Sequence, residues 1–244
     1  MLSKSTLGQI GFWLLLPVSL LQGLRLRKTA TRLPQAEGAE SGVFGQGEPV
    51  CFLAIGDSII AGVGTGSVEK SLPVQLAKKL AEHHDCSVLW RVAGSNGADI
   101  AKLREKVRQI NDLQAFDIIF VSIGVNDVTG LSNARYWLEQ LKSLVTELRQ
   151  KWPGARIVFA GLPPMGDFPL PPQPLRFSLG LRAAKFDKIA ADLIARQDGM
   201  LHIPTDIDPL HHEFCEDGFH PSASACELWA EVLARRLKSD TLAK

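Results

Sequence analysis

Polar and apolar positions divide this chain into two unequal parts. From residue 50 onward, short apolar runs alternate with longer amphipathic stretches. The runs at residues 50–56, 87–93, 117–124, 155–161 and 200–204 are rich in β-branched residues and nearly uninterrupted by polar ones. Such runs suit strands buried on both faces of a parallel sheet. Between them, residues 72–83, 99–111, 134–151 and 181–196 carry the periodicity of half-buried helices, and residues 223–237 form a last one. Five strands with helices between them predict an α/β fold: a flavodoxin-like, three-layer, doubly wound sheet of about five parallel strands. In such sheets ligands bind beyond the carboxyl ends of the strands. The chemistry is therefore expected just after Gly56, Ala93, Gly124, Gly161 and Pro204.

The first fifty residues follow another pattern. Residues 10–24 read IGFWLLLPVSLLQGL, with Lys4 before them and Arg25, Arg27, Lys28 and Arg32 after them. A full span needs about 20 apolar residues, so this segment is short. It runs directly into LRLRK without a small-residue cleavage motif. Residues 1–31 therefore read as an uncleaved membrane anchor in preference to a cleaved export signal; a helix packed on the domain is the third possibility. The basic residues that follow slightly favour a cytoplasmic body, with an exported one as the alternative. Residues 32–49, rich in Gly, Pro, Ala and Glu, read as a linker, leaving residues 50–244 as the folded domain.

Charge and cysteine content narrow the classes. The 27 Lys and Arg residues nearly balance 26 Asp and Glu, a net charge of +1. No basic surplus recruits nucleic acid, and none is expected as a partner. The four cysteines, Cys51, Cys86, Cys215 and Cys226, are scattered and form no CxxC pair, which excludes a disulfide scaffold or zinc ribbon and leaves structural thiols.

Four loops hold the candidate chemistry. After the first strand comes IGDSIIAGVGTGS, where Ser58 sits as the chain turns toward a helix. That placement exposes a hydroxyl at the sheet edge, although serine also caps helices there. Three crowded glycines suggest a phosphate loop, but the Gly-Lys-Ser/Thr ending that such a loop needs is missing. After the third strand comes SIGVNDVTG. Asn126 can turn its amide toward a developing oxyanion, or Asn126 and Asp127 can simply form a turn. In AGSNGAD, after the second strand, the Gly97 N–H is a further candidate donor. Near the C-terminus, CEDGFHPSA places Asp217 three residues before His220, so one segment can supply both a base and the carboxylate that orients it. His211 and His212, with Glu213 and Asp217, raise a metal alternative at a spacing that matches no standard zinc site; neither a metal nor another cofactor is expected.

Taken together these segments resemble the SGNH (GDSL-type) hydrolase family of esterases and lipases, including lysophospholipase-like members. Gly56-Asp57-Ser58 matches its first block, with Ile59 where Leu is typical. Gly97 falls at the second block, Gly124-Val125-Asn126-Asp127 at the third and Asp217-Gly218-Phe219-His220 at the last. The likeness covers roughly residues 50–238. It implies Ser58 as nucleophile, His220 as general base and Asp217 as its orienter. The implied oxyanion hole is the Ser58 and Gly97 N–H groups with the Asn126 side chain.

The implied activity is ester hydrolysis through an acyl-Ser58 intermediate. Residues 162–180, LPPMGDFPLPPQPLRFSLG, hold six of the fourteen prolines. They are expected to form a stiff wall or lid, with Met165, Phe168, Leu170, Leu175 and Phe177 either lining an acyl groove or packing on the sheet. Beside a membrane anchor, a groove favours a lipid-like or other small-molecule ester, with membrane contact through the N-terminal segment. A carbohydrate or cell-wall O-acetyl esterase is the alternative, and a non-catalytic, membrane-tethered binding module a distant one.

Overall fold

The computed structural model describes residues 4–110, 115–205 and 213–238. Its elements are α1 (Lys4–Thr29), β1 (Ser41–Phe44), β2 (Pro49–Gly56), α2 (Leu72–His84), β3 (Ser87–Gly94), α3 (Ile100–Gln109), β4 (Ile118–Ser122), α4 (Val125–Thr129), α5 (Ala134–Lys151), β5 (Arg156–Ala160), α6 (Leu175–Ile194), β6 (Met200–Ile203) and α7 (Ala223–Lys238).

The strands form one sheet in the order β1-β3-β2-β4-β5-β6. All neighbours are parallel except β1, which runs antiparallel to β3 with Ser41 opposite Arg91 and Phe44 opposite Val88. The five parallel strands are the five expected apolar runs. Phe52 to Ile55 of β2 and Ile119 to Val121 of β4 are fully buried, because helices cover both faces of the sheet. With right-handed crossovers, α2 and α7 pack together on one face, while α3, α5 and α6 occupy the other. The second layer is locked by Trp137 of α5, which stacks on Phe186 of α6 at 5.3 Å and donates its indole N–H to the Phe186 carbonyl.

The structure adds to the expected pattern at three places. The sheet has a sixth strand, and it comes from the expected linker: β1 covers the free edge of β3, and the preceding chain is also fastened. Gly64 N–H donates to the Pro34 carbonyl, and Val68 N–H to that of Glu37. Glycines in this stretch permit turns, and turns were all that composition could reveal.

For the segment expected as an anchor, the described residues hold no helix long and apolar enough to cross a membrane. The second half of α1 instead lies on α6. Ser19 Oγ is 3.4 Å from Ser178 Oγ where the two helices approach. The Gln22 side chain donates to the Gln173 carbonyl and accepts from Leu175 N–H. That polar midpoint is part of the α1–α6 contact.

Finally, α6 begins at Leu175, six residues before the expected start, inside the proline-rich segment. Pro174 at its N-cap offers no capping side chain. Gln22 meets the helix's first N–H from across the interface instead.

Candidate active site

Two strands that diverge in their connections, β2 and β4, lie side by side at the centre of the sheet. Their carboxyl ends are the topological switch point, where a crevice opens in folds of this kind. Both principal loops start there. Gly56 is required at the end of β2, because a Cβ would lie 2.0 Å from the Ser122 carbonyl oxygen. The chain then turns through residues 57–64, with Val63 N–H donating to the Ser58 carbonyl. The next helical residues begin at Val68, so Ser58 caps no helix.

The turn is tied to its neighbours. Asp57 N–H donates to Ser122 of β4, and Ser95 N–H, beyond β3, donates to Gly56. The Asn126 side-chain amide donates to the Ala98 carbonyl at 2.9 Å, linking the loop after β4 to the residue beside Gly97. Gly97 is exposed with φ +71°, and a Cβ there would meet nothing within 4 Å, so backbone conformation rather than space calls for glycine. Lys106 of α3 reaches back to this loop, donating to the Gly94 carbonyl at 2.6 Å and to Ser95 Oγ at 3.0 Å. Burial lowers its pKa.

From the far end of the chain, the turn between Cys215 and His220 closes over Ser58. His220 Nε2 lies 3.0 Å from Ser58 Oγ, and His220 Nδ1 lies 2.6 Å from Asp217 Oδ2. The other Asp217 oxygen accepts from the N–H groups of Phe219 and His220. A carboxylate so held has its direction fixed, which leaves His220 with Nδ1–H toward Asp217 and its Nε2 lone pair toward the serine.

The proline-rich segment braces this turn. Leu170 N–H donates to the Gly218 carbonyl, and Phe168 meets both Phe214 and Phe219 edge-on at 5.2 Å. Of the expected groove residues, Leu170 and Leu175 line an apolar groove of about 350 Å³ that runs between α1 and α6 and ends at His220. Phe168 belongs instead to a recess of about 30 Å³ beside Ser58. Met165 is buried in the core, and Phe177 is exposed on the far side of α6.

Two buried carboxyls lie beneath the site. Burial pushes both Asp57 and Asp127 up to about 7, and each raises with the help of a nearby acid, Asp127 for Asp57 and Asp99 for Asp127. Each also accepts a backbone N–H, Ile59 and Ile100 respectively. His211 and His212 of the metal alternative lie outside the described residues. Asp217 is engaged with His220, and among the described residues no cluster suited to a metal ion forms.

Loops between strands and helices that present serine, histidine and aspartate in this way agree with the family model that matches residues 54–228. The chain belongs to the GDSL-like lipase/acylhydrolase family. It is therefore an ester-bond hydrolase with the α/β fold of SGNH hydrolases. A lipase/acylhydrolase from Enterococcus faecalis is similar in structure, with TM-score 0.61 and 22% identity, covering 80% of this chain and 98% of that one. A carbohydrate esterase family 2 enzyme from Corynascus thermopiles (Myceliophthora fergusii) gives TM-score 0.59 at 13% identity, covering 85% of this chain and 68% of the other. An uncharacterized protein of Mycoplasma pneumoniae is 28% identical over 120 residues, which are 46% of this hydrolase; the chain spans 13% of that relative.

Sequence reading missed Lys106, the α1 wall of the groove and the position of Phe168 against the histidine turn. A lysine in an amphipathic helix reads as a solvated face, and contacts between distant loops leave no periodic trace.

Proposed function

We propose that this GDSL-like hydrolase cleaves carboxylic esters through an acyl-Ser58 intermediate. The observation that carries the reading is the unbroken relay from Ser58 Oγ through both ring nitrogens of His220 to Asp217, at 3.0 and 2.6 Å. Serine is a poor nucleophile at neutral pH until a hydrogen-bonded imidazole takes its proton. In the proposed reaction Ser58 Oγ attacks the ester carbon while its proton passes to His220 Nε2. The oxyanion forms against the N–H groups of Ser58 and Gly97 and the Asn126 amide, whose second N–H remains for it while the first holds Ala98. Asp217 steadies the imidazolium. Collapse expels the alcohol, which takes the proton from Nε2. Water then attacks the acyl group, again yielding its proton to Nε2, which passes it to Ser58 Oγ as the acid leaves.

The groove of about 350 Å³ supports esters with a long hydrocarbon part, since its length is apolar and its end is His220. A second reading, acetyl-ester hydrolysis, draws support from the recess of about 30 Å³ at Ser58, room for little more than a methyl group. Hydrolysis of p-nitrophenyl esters from acetyl to palmitoyl by the full chain separates the two. Turnover rising with chain length is expected, and a peak at acetate would favour the second reading. Ser58→Ala should reduce turnover by at least about 10³-fold; a variant retaining most of its activity would remove Ser58 from the mechanism.

A further inference from the structure

The wall that α1 contributes to the groove has a charge pattern that ester hydrolysis by itself does not require. Along the groove, Leu24, Leu26, Leu131, Leu170, Leu175 and Leu179 give an apolar lining. Two arginines interrupt it, Arg27 of α1 and Arg182 of α6. Both converge on one short stretch at the end of α4 and just past it. Arg27 donates to the Thr129 carbonyl at 2.9 Å, and Arg182 donates to the carbonyls of Val128 and Ser132 at 3.3 and 2.8 Å. Neither meets a carboxylate among the described residues. Among the described residues the one acid lining the groove, Asp217, is committed to His220.

A guanidinium carries five N–H donors in a planar fork. Arg27 spends one of them on the protein and Arg182 two, so donors remain on both. Arg182 is half-buried and packs over the Phe186 ring at 5.4 Å; burial lowers its pKa, and a guanidinium keeps its charge in proteins. Two positive charges at an apolar wall, balanced only by carbonyl dipoles, stabilise an anion far more than they would in open water. A purely neutral lipid would cover both charges and return nothing to them.

We infer that the α1–α6 groove binds an amphiphile whose hydrocarbon chain lies on the leucines and whose anionic group, a phosphate or its like, is held by Arg27 and Arg182. That this selects the substrate rests on the ester-hydrolase reading: the ligand would be an anionic ester of a long-chain acid, its scissile bond at the His220 end. The binding itself does not depend on turnover, and the two are separable by experiment.

The test uses the full chain with Ser58→Ala, titrated calorimetrically with lauroylglycerol phosphate, with neutral lauroylglycerol and with inorganic phosphate, all below micelle-forming concentrations. The phosphate ester is expected to bind at least about tenfold more tightly than either of the others. Arg27→Gln in the same background should cut its advantage over the neutral lipid at least about threefold, and Arg27→Lys should keep most of it. Equal affinity for the two lipids overturns the inference, as does an advantage that Arg27→Gln leaves intact. Inorganic phosphate binding as tightly as the acylated form would also overturn it, since the apolar lining would then contribute nothing. In parallel, the chain with Ser58 intact is assayed for release of lauric acid from both lipids. A binding preference without any hydrolysis would sink the esterase reading and leave the groove assignment standing. Hydrolysis without a binding preference would do the reverse.

Discussion

At the scale of single residues, the proposed chemistry depends on side chains that hold loops as much as on those that meet the ester. Ser58, Asp217 and His220 were legible because each sits in a short motif whose residue types are chemically demanding. Asn126 and Gly97 were legible for the same reason, and Ala98 is the hinge between them. Lys106 was not. Its ammonium, drawn into the protein, fixes the Gly94 carbonyl and the Ser95 hydroxyl, and with them the backbone that presents Gly97. Lys106→Met should therefore lower kcat on a p-nitrophenyl ester about tenfold with KM little changed, because a hydrogen bond from a charged donor contributes on the order of 1.5–3 kcal/mol to holding its partner. Lys106→Arg should recover part of the loss. A variant that loses stability but keeps kcat would show that Lys106 supports the fold alone.

At the scale of elements, the parallel strands and their helices could be read almost residue by residue, since burial on both faces forces long apolar runs. Helix α5 spans the expected residues, and β2 and β3 each extend the expected run by one residue. The elements that escaped are those whose stability comes from elsewhere. Helix α4, five residues long, is too short for a periodic signal, and β1 is a four-residue edge strand with mostly exposed side chains. The start of α6 belongs with them. Its first N–H is met by Gln22 of α1, a contact across 153 positions that no local rule anticipates. Gln22→Ala should leave that group to water and loosen the first turn of α6. Removing a comparable cap costs about 1 kcal/mol, so amide exchange at residues 175–178 should quicken several-fold while the rest of α6 is unchanged. Protection that stays constant there would mean that α1 contributes nothing to the start of α6.

At the scale of the whole molecule, the two buried carboxyls tie stability to pH. Asp57 and Asp127 titrate at about 7 in the folded chain, from ordinary values of 3.8. Between those values the folded protein keeps protons that the unfolded chain has released, so raising the pH through this window favours unfolding, and the loss levels off above about 7. The thermal midpoint should therefore fall from pH 5 to pH 8, and Asp127→Asn should flatten the slope. A midpoint that climbs across the window would mean that both groups are ionised in the fold. The relay from Ser58 to His220 has a different consequence at this scale. Its ends lie 162 positions apart, one after β2 and the other beyond β6. During synthesis the serine therefore emerges long before its partner, and in the proposed mechanism every intermediate lacking the last turn carries an inert hydroxyl. Recovery of ester cleavage during refolding thus times the docking of residues 213–222, the last segment the relay needs, and provides a clock for the end of folding that spectroscopic probes of the sheet cannot supply.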